Sequence, residues 1–338
     1  AQRKVAQMKI RSGIHRDESE MTLMDANDFD DFESARNNMP TLTIPQRPLQ
    51  PPFPDGICGG RLVTLSPEDL NWESTSASEN DLVAIVENGL SSFSSSILPP
   101  RNITVWLPPD YDAHPEMKFP VLYCHDGQNA MIDSISWTGY SWRLAGALTR
   151  LAERNMLTKT NEICSPPIVV MMPCAEDRIG AVVPRRHLEY GDISLPFAQA
   201  HADFVGLTLK PLIDSKFRTL PDKQHTSTIG SSLGGQASLH LIMRYQDLFG
   251  KAACLSPAFQ PSILTSVAAS DDRMWIDKQI YIDNGGDVDD VKVPILDVQD
   301  HLSKEHWWRR RRCESSDSGC AGSFIKRTLV ESRVLVVR

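Results

Sequence analysis

The segment Gly230-Ser-Ser-Leu-Gly234 constrains this chain more than any other feature. A serine between two glycines matches a sharp turn from strand into helix, which lifts a hydroxyl clear of the backbone around it. The flanks fit that reading. Thr226 to Ile229 reads as a strand, and Ala237, Leu241 and Tyr245 recur at helical spacing after the turn. Ser232, with glycine at both −2 and +2, is the expected nucleophile; Ser231 is expected to be a packing or a helix-entry residue. A serine hydroxyl attacks a carbonyl well only when a base takes its proton and donors hold the developing oxyanion.

The rest of the chain supplies a scaffold for such a turn. Ile103–Leu107, Val121–Cys124, Ile168–Met172 and Ile280–Ile282 read as further strands, and residues 141–154, 200–215 and 235–247 carry helical spacing. Strands alternating with helices predict an α/β fold, a mostly parallel sheet with helices on both faces and no separate cap domain. In such sheets functional groups gather at the carboxyl ends of the strands. Residues 1–60 are polar and proline-rich and are expected to form a loosely packed or disordered extension, with the globular domain over 61–308. The stretch 309–338 opens with Arg309 to Arg312 and shows no pattern suited to a closing β-α unit, so the carboxyl-terminal unit is expected to be incomplete.

Composition narrows the partners. A formal charge of −8 with no basic stripe beyond that arginine run disfavours nucleic acid. No apolar stretch approaches the ~20 residues of a membrane span. The seven cysteines (58, 124, 164, 174, 254, 313 and 320) fit neither a disulfide framework nor a zinc site, and Cys124 and Cys254 read as small buried hydrophobes. No metal or organic cofactor is expected. The cytoplasm is the favoured compartment, a secretory one staying open because the chain begins Ala1-Gln-Arg; oligomeric state is not legible.

A second element follows the strand ending at Cys124. His125-Asp-Gly-Gln-Asn129 is a turn at a strand's carboxyl end, where a main-chain N–H can meet that of the residue after the serine. The expected oxyanion donors are the N–H groups of Gln128 and Leu233, with His125 and Asp126 pinning the loop. Trp137, Tyr140, Trp142 and Tyr190 are candidates to line an acyl or sugar pocket or to pack in the core. His114, His187, His201, His225 and His240 read as surface or core groups.

These landmarks have company: Val105-Trp-Leu-Pro-Pro-Asp-Tyr111, Tyr123 to Asn129, Arg186-His-Leu-Glu-Tyr190, Leu209-Lys-Pro-Leu-Ile213, Leu255-Ser-Pro257 and Ile280-Tyr-Ile-Asp-Asn-Gly-Gly-Asp287. In order and spacing, the chain from about Arg101 to Asp290 resembles the putative-esterase family of α/β-hydrolases, which includes siderophore, feruloyl and acetyl-xylan esterases, S-formylglutathione hydrolases and mycolyltransferases. The resemblance implies a serine esterase acting on a small-molecule or carbohydrate-linked ester through an acyl-enzyme. It maps the hole onto Gln128 and Leu233 and the triad acid onto Asp287, with Asp283 and Asp289 as alternatives; Asp283 is disfavoured as still within the strand. The order Ser…Asp…His leaves His301 and His306, close behind Asp287 for a connection that needs at least ~10–12 residues. The family's glycine-rich histidine context is absent, so the histidine stays unassigned. Two alternatives follow: acyl transfer to a sugar or other alcohol, and a catalytically impaired binding protein.

Overall fold

The computed structural model describes residues 53–72, 82–83, 97–157, 165–176, 178–179, 183–283 and 335–337. The first strands are β1 (Arg61–Leu65) and β2 (Ile103–Leu107), followed by one helical turn, α1 (Asp110–Ala113). Then come β3 (Val121–His125), helix α2 (Leu144–Leu157) and β4 (Ile168–Met172). A short ribbon of β5 (Arg178–Ile179) and β6 (Val183–Pro184) leads into α3 (Arg185–Tyr190), α4 (Pro196–Asp203) and α5 (Lys210–Lys216). Beyond them run β7 (Thr226–Ser231), α6 (Leu233–Arg244), β8 (Lys251–Leu255), α7 (Pro261–Ala268), β9 (Gln279–Ile282) and β10 (Leu335–Val337).

Eight of these strands form one sheet in the order β1-β2-β4-β3-β7-β8-β9-β10. The five central strands are parallel, and the antiparallel pairings are β1/β2, β2/β4 and β9/β10. The alternation read from the sequence thus becomes a mostly parallel sheet of α/β-hydrolase type. Its two faces follow from the period-two pleat. Ile168, Val170 and Met172 of β4 join Val121 and Tyr123 in one core with Leu239, Leu241 and Ile242 of α6. Val169, Met171 and Cys124 point the other way and pack with Trp106 against Leu144 and Ala145 of α2. Cys124 and Cys254 are fully buried, as small hydrophobes are.

Two elements differ from the sequence reading for identifiable reasons. The helix expected over 200–215 is broken by a wide π-turn at Phe204–Leu209. Pro211 lacks an N–H and its ring would press on the carbonyl four residues back, so the ladder loosens just before it. Strand β8 is Lys-Ala-Ala-Cys-Leu, without a β-branched residue; its place between β7 and β9 imposes the conformation.

Residues 53–60, within the stretch expected to be loosely packed, are tied to the domain. Trp106 Nε1 donates to Ile57 O at 2.9 Å, Gly56 N–H to Met131 O at 2.9 Å, and Arg143 to Phe53 O at 2.9 Å. At the other end Leu335–Val337 pair with the free edge of β9. No helix among the described residues is long and apolar enough to cross a membrane.

Candidate active site

Strands β3 and β7 are parallel neighbours with Cys124 opposite Ile229, so the loop after His125 and the turn after Ser231 leave the sheet side by side. At that turn Ser232 adopts φ 56°, ψ −125°, a conformation that costs an L-residue roughly 1–3 kcal/mol. The fold holds it there by hydrogen bonds on both sides: Ser232 N–H donates to Leu255 O at 3.0 Å, and its carbonyl accepts from Gly235 N–H at 3.0 Å. Ser232 is exposed, whereas Leu233 beside it is buried. Gly230 is required sterically, because a Cβ there would lie 2.3 Å from the carbonyl oxygen of Gly234. Ser231 ends β7, half-buried and opposite Leu255.

The facing loop is equally constrained. Asp126 takes left-handed φ 53°, ψ 45°, and Gly127–Asn129 form one tight turn closed by Asn129 N–H to Asp126 O at 2.8 Å. A Cβ on Gly127 would meet Met171 and Met172 backbone at 2.5–2.6 Å, so the loop lies directly on β4. The Gln128 carboxamide is anchored at Cys174: Oε1 accepts from Cys174 N–H at 3.3 Å, and Nε2 donates to its sulfur at 3.5 Å. Burial and then Asp126 push the Cys174 thiol up to about 12, which keeps it a neutral partner. Gln128 and Leu233 lie in the first turns of their helical elements, where main-chain N–H groups have no partner within the helix. Donors of this kind beside an exposed serine are what a tetrahedral oxyanion requires, and Leu233 is the residue that directly follows Ser232.

Behind them lies a polar core. Asp126, 2% exposed, receives Arg186 Nε and Nη2 at 2.8 Å each. Burial opposes the charge on Arg186, and Asp126 more than offsets it, holding the guanidinium pKa above its usual value. His125 Nδ1 lies 3.1 Å from Ser238 Oγ, which itself donates to Gly234 O at 2.9 Å. Both His125 and Asp126 therefore pin their surroundings. His201 and His240 are buried, whereas His114, His187 and His225 lie at or near the surface. Trp137 and Tyr140 are exposed, Trp142 is half-buried and Tyr190 belongs to the core. Among the described residues no group of three or more His, Cys, Asp or Glu is placed to hold a metal ion.

The acid strand needs one correction. Asp283 is not within the strand: β9 ends at Ile282. Its carboxylate is already committed, Oδ1 accepting from Ser256 N–H at 2.6 Å and Oδ2 from the Tyr281 hydroxyl at 3.1 Å, and it ties the ends of β8 and β9 together. Asp287, Asp289, His301 and His306 lie outside the described residues. Arg186 and Cys174 carried no assigned role in the sequence reading, although Arg186 opens one of its landmarks.

The buried histidines make part of the fold's stability depend on pH. Burial pushes His125 and His240 down to about 4, from the ~6.5 of an unfolded chain. Between those values the unfolded chain binds protons that the folded one refuses, so stability is full above pH ~6.5 and falls as pH drops toward 4. The urea midpoint should decline over that window, and less steeply in His240→Leu. Equal slopes in the two proteins would remove His240 from the account.

Comparison with curated proteins finds no match. Among solved structures the chain is similar to a ferulic acid esterase, at 19% identity and TM-score 0.39 over 64% of this chain and 74% of that one. It is similar also to the CE1 ferulic acid esterase of Anaeromyces mucronatus (17%, 0.36, 59% and 60%) and to the siderophore hydrolase EstB of Aspergillus nidulans (19%, 0.36, 52% and 60%). Overlaps of this size leave substrate and mechanism to the chain's own residues. The model of the family described as putative esterase matches residues 94–323. That match takes in well over half of the 338 residues, and the chain belongs to the putative esterase family, whose chemistry is the cleavage of carboxylic esters.

Proposed function

We propose that this chain is a serine esterase that cleaves a carboxylic ester through an acyl-enzyme at Ser232. The observation that carries the reading is the exposed serine at φ 56° between β7 and α6, on the strand next to the one whose loop carries Gln128. Ser232 Oγ attacks the ester carbonyl while a base removes its proton. Gln128 and Leu233 N–H receive the oxyanion, the alcohol leaves with a proton from the same base, and water then releases the acid. Asp287 orients the base. His301 and His306 are the candidates for the base, in chain order behind the acid. No metal or organic cofactor enters these steps. The substrate is a small-molecule or carbohydrate-linked ester, and the exposed rings of Trp137 and Tyr140 offer faces on which an aromatic or sugar ring stacks.

The test combines p-nitrophenyl acetate turnover with product analysis in the presence of added alcohols. Free acetate as the product throughout supports the hydrolase, whereas acetylated alcohol as the main product points to acyl transfer. Asp287→Asn should lower kcat by about 10⁴-fold, the loss seen when a triad acid is replaced by its amide. An unchanged kcat would reassign the acid.

A further inference from the structure

We propose that the buried ion pair of Asp126 and Arg186 positions the two oxyanion donors against each other, which makes both side chains positioning residues of the ester-cleaving site. The inference rests on the reading of Ser232 given above and deepens it. Three separate segments meet at this pair. Asp126 opens the turn that presents Gln128 N–H, and its left-handed backbone is one that aspartate tolerates better than most residues. Arg186 comes from α3 and grips both carboxylate oxygens in parallel, the geometry that fixes direction as well as distance. The third segment is the first turn of α6. Asp126 Oδ2 lies 3.0 Å from where a Cβ of Gly234 would project, so the carboxylate rests on the residue next to Leu233. Moving Asp126 therefore moves one donor, Gln128 N–H, relative to the other.

The guanidinium is itself held. Arg186 lies 5.5 Å from the ring centre of Trp137 and 5.6 Å from that of Tyr190, and its side chain is only 16% exposed. Trp137 in turn hangs from the same loop, since its N–H donates to Asn129 Oδ1 at 3.0 Å. Charge gives the pair a second effect. A lone carboxylate this close to the donors would oppose the negative charge that builds on the substrate oxygen, and Arg186 cancels it. Losing Arg186 alone therefore harms the reaction more than losing both partners.

The experiment compares Arg186→Met, Arg186→Lys, Asp126→Asn and the double variant Asp126→Asn/Arg186→Met with the full wild-type chain. The readouts are kcat and KM for p-nitrophenyl acetate and the rate of fluorophosphonate labelling per folded molecule. Arg186→Met should lose about 10²-fold in kcat, with KM within about threefold and labelling slowed in parallel. The double variant should lose less than Arg186→Met. Arg186→Lys keeps the charge while giving up the two-pronged grip, so it folds where methionine fails and should lose about tenfold in kcat. Wild-type kcat and labelling rate in the folded Arg186→Lys and Asp126→Asn proteins would overturn the positioning role while leaving Ser232 untouched. Losses confined to KM would overturn it as well, since they mark a binding contact. Labelling that persists in Ser232→Ala, or a wild-type chain that neither labels nor turns over, brings down the reading of Ser232 and the positioning role with it.

Discussion

Ser232→Ala should abolish fluorophosphonate labelling and lower kcat/KM for p-nitrophenyl acetate by at least about 10³-fold, with the melting temperature unchanged or raised. The stability half of that expectation follows from what the side chain touches. Ser232 is exposed, and among the described residues its hydroxyl has no hydrogen-bond partner, so alanine breaks no hydrogen bond to any of them. The backbone strain at φ 56° is the same for any residue with a Cβ and stays in place. The activity half follows from chemistry, because no neighbouring group inherits the nucleophile's position. Ser231→Ala, one residue earlier and half-buried in β7, should keep its label and serves as the control. The size of the loss also measures the base. With a histidine in place the fall approaches the ~10⁶-fold seen when a triad nucleophile is removed, whereas a serine without its base contributes little, because the ~10³–10⁴-fold that remains over water comes from the oxyanion donors and binding. Label that survives in Ser232→Ala would sink the assignment.

Much of this site is legible in the sequence because it rests on local chemistry. Gly230, Ser232 and Gly234 announce a turn that few other residues permit, and the run Thr226-Ser-Thr-Ile229 before them, three of its four residues β-branched, favours a strand. The four strands Ile103–Leu107, Val121–His125, Ile168–Met172 and Gln279–Ile282 are rich in β-branched or aromatic residues and declare themselves. What stays hidden depends on contacts distant in the chain. Strand β8 is made by its neighbours, and the break at Phe204–Leu209 by a proline's effect on the preceding turn. Arg186 and Asp126 are 60 residues apart, and nothing in the one predicts the other. Asp283 shows the same limit from the opposite side. Pattern places it in the strand, whereas its bond to Ser256, 27 residues away, fixes it one step beyond.

Gly127→Ala should cost about 10²-fold in kcat, the largest effect expected from a single added methyl group that touches neither substrate nor nucleophile. The new Cβ would stand 2.5 Å from the Met171 carbonyl carbon and 2.6 Å from the Met172 nitrogen, where ordinary contact begins at 3.4 Å. Those obstacles are main-chain atoms of a strand at the centre of the sheet, hydrogen-bonded on both sides, and cannot swing aside as a side-chain tip would. The loop has to retreat by roughly an ångström instead, and it carries Gln128 N–H away from Leu233 N–H as it goes. Misplacing one donor costs about 10²–10³-fold. Gly56→Ala provides the contrast, since Gly56 has φ +90° but open space where its Cβ would go. That substitution should lower the melting temperature through backbone strain and leave kcat alone. If Gly127→Ala instead unfolds the domain without slowing the molecules that remain folded, the glycine serves packing against β4 and has no bearing on where the donor points. A folded Gly127→Ala protein with reduced kcat and unchanged KM would tie the closeness of loop and strand directly to the stabilisation of the oxyanion.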